Sequence, residues 1–175
     1  MRLVETKLEG TWIVELEPLR DERGYFARCF CHREFSARGL HTQFVQASTA
    51  FTQSAGTLRG LHYQSHPHWE TKLVRCTRGA AFVVVVDLRP ESNNFREWLG
   101  VELSEETGRS LYVPVGCAQG YQTLVDNTEL LYQMSTDYQP EAARGYRYDD
   151  PAFAIEWPRT PRHLSQRDLN WADYS

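Results

Sequence analysis

The chain alternates between short apolar runs and turn residues along most of its length. The runs are rich in Val, Ile, Leu, Tyr, Phe and Trp, and Gly, Pro, Asn and Asp separate them. Runs of this kind predict strands. They cover residues 10–16, 25–30, 72–77, 80–88, 98–103, 110–114, 120–124 and 129–135. Many short strands at such spacing indicate an all-β sandwich or barrel.

Helical signals are few. Residues 32–38 predict a short helix, and Ser165 is placed to cap a second one near the C-terminus. No linker, repeat or low-complexity segment interrupts the pattern, and 175 residues suit one domain with a real core. We therefore expect residues 1–175 to form a single domain.

Two glycine-anchored motifs narrow the fold. Their spacings, G-x5-H-x-Q…K-x6-G over residues 56–79 and G-x5-P-x-G-x2-Q-x3-T over residues 108–123, resemble the two cupin motifs. This resemblance implies a double-stranded β-helix, a jelly-roll barrel. The residues at the four positions that ligate metal in cupins are His62, Gln64, Lys72 and Gln119. Because a protonated lysine cannot ligate a divalent cation, we expect the barrel without a metal.

Charge and hydropathy limit the partners. The net charge of −4 argues against a nucleic-acid binder that works by phosphate neutralisation. The longest apolar run, residues 80–86, is too short for a membrane helix. The first residues lack the apolar segment of a signal peptide. We therefore expect a cytoplasmic protein that binds neither nucleic acid nor membrane.

The spacing of the cysteines does not favour a zinc site. Cys29 and Cys31 have C-x-C spacing without a second zinc-binding pair nearby, and on a strand their side chains would point the same way. We interpret all four cysteines as buried or half-buried free thiols.

Five residues together predict proton chemistry on an anionic ligand in the barrel. His62 occupies a cavity-facing motif position, Arg59 lies within reach of an anionic ligand, and Asp168 could orient the imidazole. A buried Lys72 could stabilise an enolate oxygen. An inward Tyr132 phenol could donate a proton from the other face of a substrate.

Together these features resemble the dTDP-4-dehydrorhamnose 3,5-epimerase family of nucleotide-sugar enzymes. The matching segments run in the family order from about residue 10 to the end. They are residues 21–26, 56–64, 72–75, 86–89, 101–104, 113–120, 131–132, 149–152, 155–158 and 164–168.

The resemblance implies a role for each candidate. His62 would be the base that removes protons next to the C4 ketone, with Asp168 as its partner, Lys72 at the enolate and Tyr132 returning a proton at C5. Arg59 and Gln46 would hold the nucleotide, and Arg23 and Phe26 would come from the other subunit of a homodimer with exchanged N-terminal strands. The other implied substrate contacts are Ser48, Gln119, Tyr138 and Arg167. No cofactor is implied.

Some positions depart from the family pattern. Gln119 replaces the usual His, Ser48 replaces an Asn, Ala143 replaces a Glu, and Arg28 stands where an acidic residue is often found. Glutamine can donate a hydrogen bond but cannot relay a proton as histidine does. These departures concern the nucleotide and the sugar more than the type of reaction.

Three alternatives stay open at this point. The chain could epimerise only C3 or act on a different nucleotide sugar. It could be a metal-dependent cupin, with ligands drawn from His62, His66, His68 and Glu70, although the last three lie in a predicted loop. It could also be a catalytically silent module that binds a sugar nucleotide.

Overall fold

The computed structural model describes residues 1–174, whose regular structure is mainly β-strand. In chain order the strands are β1 (Arg2–Glu5), β2 (Trp12–Glu15), β3 (Leu19–Asp21), β4 (Gly24–Phe26), β5 (Gln46–Thr52), β6 (Leu58–Gln64), β7 (Lys72–Arg78), β8 (Ala80–Asp87), β9 (Trp98–Ser104), β10 (Ser110–Val113), β11 (Cys117–Thr123), β12 (Thr128–Met134) and β13 (Ala143–Gly145). The helices are α1 (His32–Ser36), a 3-10 turn (Pro140–Ala142) and α2 (Gln166–Leu169).

Two antiparallel sheets form the barrel. The six-stranded sheet has the spatial order β1-β2-β10-β7-β12-β5, and the five-stranded sheet has the order β13-β6-β11-β8-β9. Strands β3 and β4 pair only with each other, as a hairpin. Val74 and Leu130 of the first sheet pack in one core with Val83 and Leu103 of the second. This arrangement confirms the predicted all-β jelly roll.

Strand β8 shows why an uninterrupted apolar run can be a strand. Successive side chains of a strand point to opposite faces. Val83 and Val85 enter the core between the sheets, whereas Val84 and Val86 pack on the outer face with Phe153. The segment after β13 covers that outer face, so both sides of β8 are buried and both can be apolar.

Most of the predicted strands and helices are present, and one strand ends earlier than predicted. Each predicted run overlaps a strand, α1 lies inside residues 32–38, and the Ser165 side chain caps α2 by accepting a hydrogen bond from Asp168 N–H. Strand β4 ends at Phe26 instead of continuing to residue 30.

The prediction for the cysteines was partly wrong. Because residues 27–31 do not form a strand, Cys29 is exposed rather than buried, while Cys31 is half-buried. Cys76 and Cys117 are buried as expected, and burial raises their thiol pKa values to about 11 and about 12. Thiols with such pKa values are poor nucleophiles at neutral pH.

A close strand crossing at Gly60 shapes the inner face of β6. Gly60 has a φ of 115°, and a Cβ there would lie 2.6 Å from the Cα of Gly120. The register between β6 and β11 shifts at this point, between Gln119 and Tyr121. Regular alternation would send residues three apart to opposite faces. The irregularity lets Arg59 and His62 both face the interior.

Within residues 1–174, the helices are all too short or too polar to cross a bilayer.

Candidate active site

A cavity of about 310 Å³ lies between the two sheets. The six-stranded sheet lines it from β5, β7 and β12, and the five-stranded sheet lines it from β6, β11 and β13. Nine of the predicted site residues line this cavity. They are Gln46, Ser48, Arg59, His62, Lys72, Gln119, Tyr132, Tyr138 and Arg167.

His62 is held by a buried carboxylate. Its Nε2 lies 2.6 Å from Oδ1 of Asp168, as the sequence analysis expected for this pair. The His62 side chain is 41% exposed and Asp168 only 4% exposed, so the carboxylate lies behind a ring that a ligand can reach. The cap made by Ser165 fixes the backbone of Asp168, and the Trp171 ring stands edge-on to the imidazole.

The charge of Asp168 decides the tautomer of His62. Burial by itself raises the pKa of the Asp168 carboxyl, but the hydrogen bond from His62, with smaller contributions from its neighbours, outweighs burial and holds that pKa below its ordinary value. The carboxylate is therefore ionised at neutral pH, and the stability that it contributes is lost only as the pH falls through the lowered pKa. Since an ionised carboxylate only accepts hydrogen bonds, Nε2 donates, and in the neutral ring the lone pair is therefore on Nδ1.

Lys72 lies on the opposite sheet, at the start of β7. Its Nζ is 3.0 Å from Oε1 of Glu70, and both side chains are only 11% exposed. Gln64 approaches the second oxygen of Glu70 at 3.4 Å. A buried cation needs compensation, and Glu70 supplies it.

Tyr132 also comes from the six-stranded sheet, through β12. Its ring packs partly against the core, and burial raises the pKa of the phenol. Tyr121, from β11 of the other sheet, is buried and its hydroxyl lies 3.1 Å from Oγ1 of Thr52. Of these two cavity phenols, Tyr132 lies on the sheet across from His62 and Tyr121 lies on the sheet that carries His62.

Gln119 is the neighbour of His62 across the strand pair, and it is buried. Its Nε2 donates to the carbonyl oxygen of Gly120 at 3.1 Å. At this position the side chain supplies a neutral amide to the cavity wall.

Three exposed guanidinium groups line the cavity, those of Arg59, Arg144 and Arg167. Arg167 lies over the Trp171 ring at 5.1 Å, and Arg59 donates to the carbonyl of Phe51 at 3.2 Å. Among residues 1–174 the one carboxylate that lines the cavity is that of Glu70, so these three groups and Lys72 outnumber it. Despite the net negative charge of the chain, this cavity favours an anionic ligand.

Arg23 and Phe26 do not line the cavity of their own chain. They lie on the β3–β4 hairpin, where Phe26 is 76% exposed and Arg23 pairs with Asp21. Their predicted contribution to another subunit stays a prediction.

The alternative metal cluster does not assemble. Within residues 1–174, His, Cys, Asp and Glu side chains do not gather in groups of three or more that could hold a metal ion. The His66 ring stacks edge-on to Trp69, outside the cavity, and Glu70 pairs with Lys72.

Comparisons with known proteins agree with this geometry. The sequence model of the dTDP-4-dehydrorhamnose 3,5-epimerase family matches residues 5–175. The chain belongs to this family. The dTDP-4-dehydrorhamnose 3,5-epimerase of Sinorhizobium fredii is 42% identical over 172 residues, which are 95% of this chain and 88% of that protein.

Two similar solved structures are of enzymes whose names give different positions of epimerisation. The Legionella pneumophila dTDP-6-deoxy-D-glucose-3,5-epimerase, in complex with dTDP-4-keto-L-rhamnose, is 34% identical, with a TM-score of 0.92 over 98% of this chain and 92% of that one. A 3'-monoepimerase from Streptomyces bikiniensis, in complex with dTDP-quinovose, is 31% identical, with a TM-score of 0.89 over 97% of this chain and 86% of that one.

Several cavity residues of this epimerase-family chain were not predicted as parts of the epimerase site, and Glu70 among them was considered only as a metal ligand. They include Glu70, Tyr121, Met134 and Arg144. Met134 lies two residues after Tyr132 on β12, and strand alternation could have revealed it. Glu70 lies two residues before Lys72, but it precedes β7, so its direction depends on the loop and could not be read from a strand pattern.

Proposed function

We propose that the protein is a cofactor-independent epimerase of a nucleotide-linked 4-keto-6-deoxy sugar, of the dTDP-4-dehydro-6-deoxyglucose 3,5-epimerase type. The observation that carries the proposal is the division of groups between the sheets. A histidine with a buried carboxylate faces the cavity from one sheet, and a lysine and a phenol face it from the other. Inversion at a carbon needs proton removal on one face and proton return on the other.

His62 acts as the base in this proposal. The Nδ1 lone pair takes a proton from a carbon next to the C4 ketone, and the C–H electrons move into the enolate. Asp168 accepts from Nε2 throughout and stabilises the imidazolium that forms.

Lys72 and Tyr132 complete the step from the other sheet. The Lys72 ammonium donates to the C4 oxygen as negative charge develops there. The phenol of Tyr132 then protonates C5 on the face away from His62. Because burial raises the pKa of this phenol, its proton stays on oxygen until the enolate carbon takes it.

The nucleotide is bound by the cationic rim of the cavity. Arg59, Arg144 and Arg167 suit the oxygens of a diphosphate, since guanidinium groups form strong charge-assisted hydrogen bonds with phosphate. Gln46 accepts a hydrogen bond from the backbone N–H of Tyr138 at 2.8 Å and so fixes the wall beside the exposed Tyr138 ring. Ser48 and Gln119 contribute further polar contacts.

The decisive experiment is isotope exchange. The protein is incubated with dTDP-4-keto-6-deoxyglucose in deuterated water, and NMR counts the deuterium at C3 and C5. We expect exchange at both carbons, unchanged after treatment with a chelator. Absence of exchange would support the silent binding module, and activity that needs an added metal would support the metal-dependent cupin.

The same spectra address the closest alternative. Epimerisation at C3 alone is a second candidate function. Two observations favour it: the similarity to a 3'-monoepimerase and the neutral Gln119 beside His62. A product inverted only at C3 would show that the protein is a C3 epimerase.

The proposed active unit is a homodimer with exchanged N-terminal strands. Three observations support it. The β3–β4 hairpin pairs with neither main sheet, and its Leu19 and Phe26 are 74% and 76% exposed. Strand β5 ends the six-stranded sheet, and within residues 1–174 it pairs only with β12. An open edge and an exposed apolar hairpin are the complementary surfaces of such an exchange.

Subunit mixing tests this arrangement. Arg23→Ala and His62→Ala are each expected to lower activity as homodimers. A purified heterodimer of the two variants contains one complete site if Arg23 acts across the interface. It should recover about half of the wild-type activity. A heterodimer that is no more active than the Arg23→Ala homodimer would mean that Arg23 acts within its own chain.

A further inference from the structure

Glu70 lines the cavity, and the proposed reaction gives it no role. It precedes β7 in the loop between Gln64 and Lys72, and in the part of the chain that the structure describes it is the single carboxylate that lines the cavity. Its side chain is 11% exposed, so it is not a solvated loop residue.

Both carboxylate oxygens of Glu70 have a partner. Oε1 lies 3.0 Å from Nζ of Lys72, and Oε2 lies 3.4 Å from Nε2 of Gln64. Gln64 is itself fixed, because its amide also donates to the carbonyls of His68 and Asp137 and accepts from the N–H of Gln139 at 2.7 Å. Through Gln64 the carboxylate is therefore linked to the loop segment that carries Asp137 and Gln139, as well as to Lys72.

This chain of contacts constrains an otherwise flexible side chain. A lysine has four rotatable bonds and an ammonium that can rotate its three donors freely. An oxyanion donor works only if it already points to the place where charge develops. One N–H of Lys72 points to Glu70. This contact fixes the rotation of the ammonium group and therefore sets the directions of its other two N–H bonds.

We propose that Glu70 is a positioning residue for Lys72 and that it directs the ammonium toward the ketone oxygen of the substrate. It also compensates the charge of a lysine that is nearly buried, so that the anionic diphosphate is drawn to the exposed arginines rather than to Lys72. This inference rests on the proposed function.

The test begins with Glu70→Gln, which keeps the size of the side chain and removes its charge. With dTDP-4-keto-6-deoxyglucose in deuterated water, kcat for exchange should fall about 10- to 100-fold, the range expected when a catalytic group is misplaced by about 1 Å. KM should change by less than about 2-fold, since the substrate is held mainly by the arginines. Glu70→Asp keeps the charge and should lose less than Glu70→Gln.

Two further variants separate positioning from loop anchoring. Thr136→Val removes the hydrogen bond from Oγ1 of Thr136 to the carbonyl of Trp69, 2.8 Å long, and loosens the same loop without touching the ion pair. It should leave kcat near the wild-type value. If Glu70 acts only through Lys72, the double variant Glu70→Gln/Lys72→Ala should be no slower than Lys72→Ala, within about 2-fold.

Each outcome has a defined meaning. Wild-type kcat in Glu70→Gln, an equal loss in Thr136→Val, or losses that multiply in the double variant would each overturn the role of Glu70 while the proposed function stands. A wild-type protein that exchanges no deuterium would overturn the proposed function and this inference with it.

Discussion

Replacing His62 with alanine is expected to stop deuterium exchange at both C3 and C5. One imidazole is proposed to serve both carbons, and removal of a general base costs about 10² to 10⁴-fold in rate. The measurement is the initial rate of deuterium incorporation at each carbon by NMR, with the variant and wild type at equal concentration.

A matched control shows that the loss comes from the site. His32→Ala removes an exposed histidine at the start of α1, outside the cavity, and should exchange at the wild-type rate. Circular dichroism should give the same spectrum for both variants. Exchange at either carbon that survives His62→Ala near the wild-type rate would mean that another group is the base there.

The residues that line the inside of the barrel could be predicted from sequence where the motif spacing and the alternation of strand side chains agree. Lys72 and Tyr132 are inward on β7 and β12, and the motif position of Lys72 marked it before the sheet was known. The His62–Asp168 pair joins residues 106 positions apart, and no local pattern carries that contact. Asp168 was a candidate partner from its residue type, and the family resemblance then assigned it to His62.

Strand β5 shows where periodicity was insufficient. Gln46, Ser48 and Ala50 alternate into the cavity, yet the run was not predicted as a strand. Sequence patterns identify a strand when its inward side chains are apolar. A strand that lines a polar cavity has small or polar residues inward, so its pattern resembles that of a loop.

Arg59 illustrates a different limit. Regular alternation from His62 would place it on the outer face of β6, but the close approach of Gly60 to Gly120 and the register shift bring it inward. Such an irregularity depends on two strands at once. The sequence of one strand does not contain it, although the adjacent glycine is a signal for close backbone approach.

Tyr132→Phe is expected to separate the two inversions. The ring and its packing against the core are kept, while the phenolic donor across the cavity from His62 is lost. Deuterium exchange at C3 should persist, because His62, Asp168 and Lys72 are intact. Inversion at C5 should fall by about 10²-fold or more, the loss expected for a general acid. Product analysis by NMR distinguishes the C3 epimer from the doubly inverted sugar.

Tyr121→Phe is the matched control, because it removes a phenol from the same cavity but on the sheet that carries His62. It should leave the ratio of the two products unchanged whatever its effect on rate. Equal losses at C3 and C5 in Tyr132→Phe would make Tyr132 a residue that orients the substrate. A wild-type protein that yields only the C3 epimer would exclude the C5 role of Tyr132. The next variant to test would then be Gln119→His, because Gln119 is the neutral neighbour of His62.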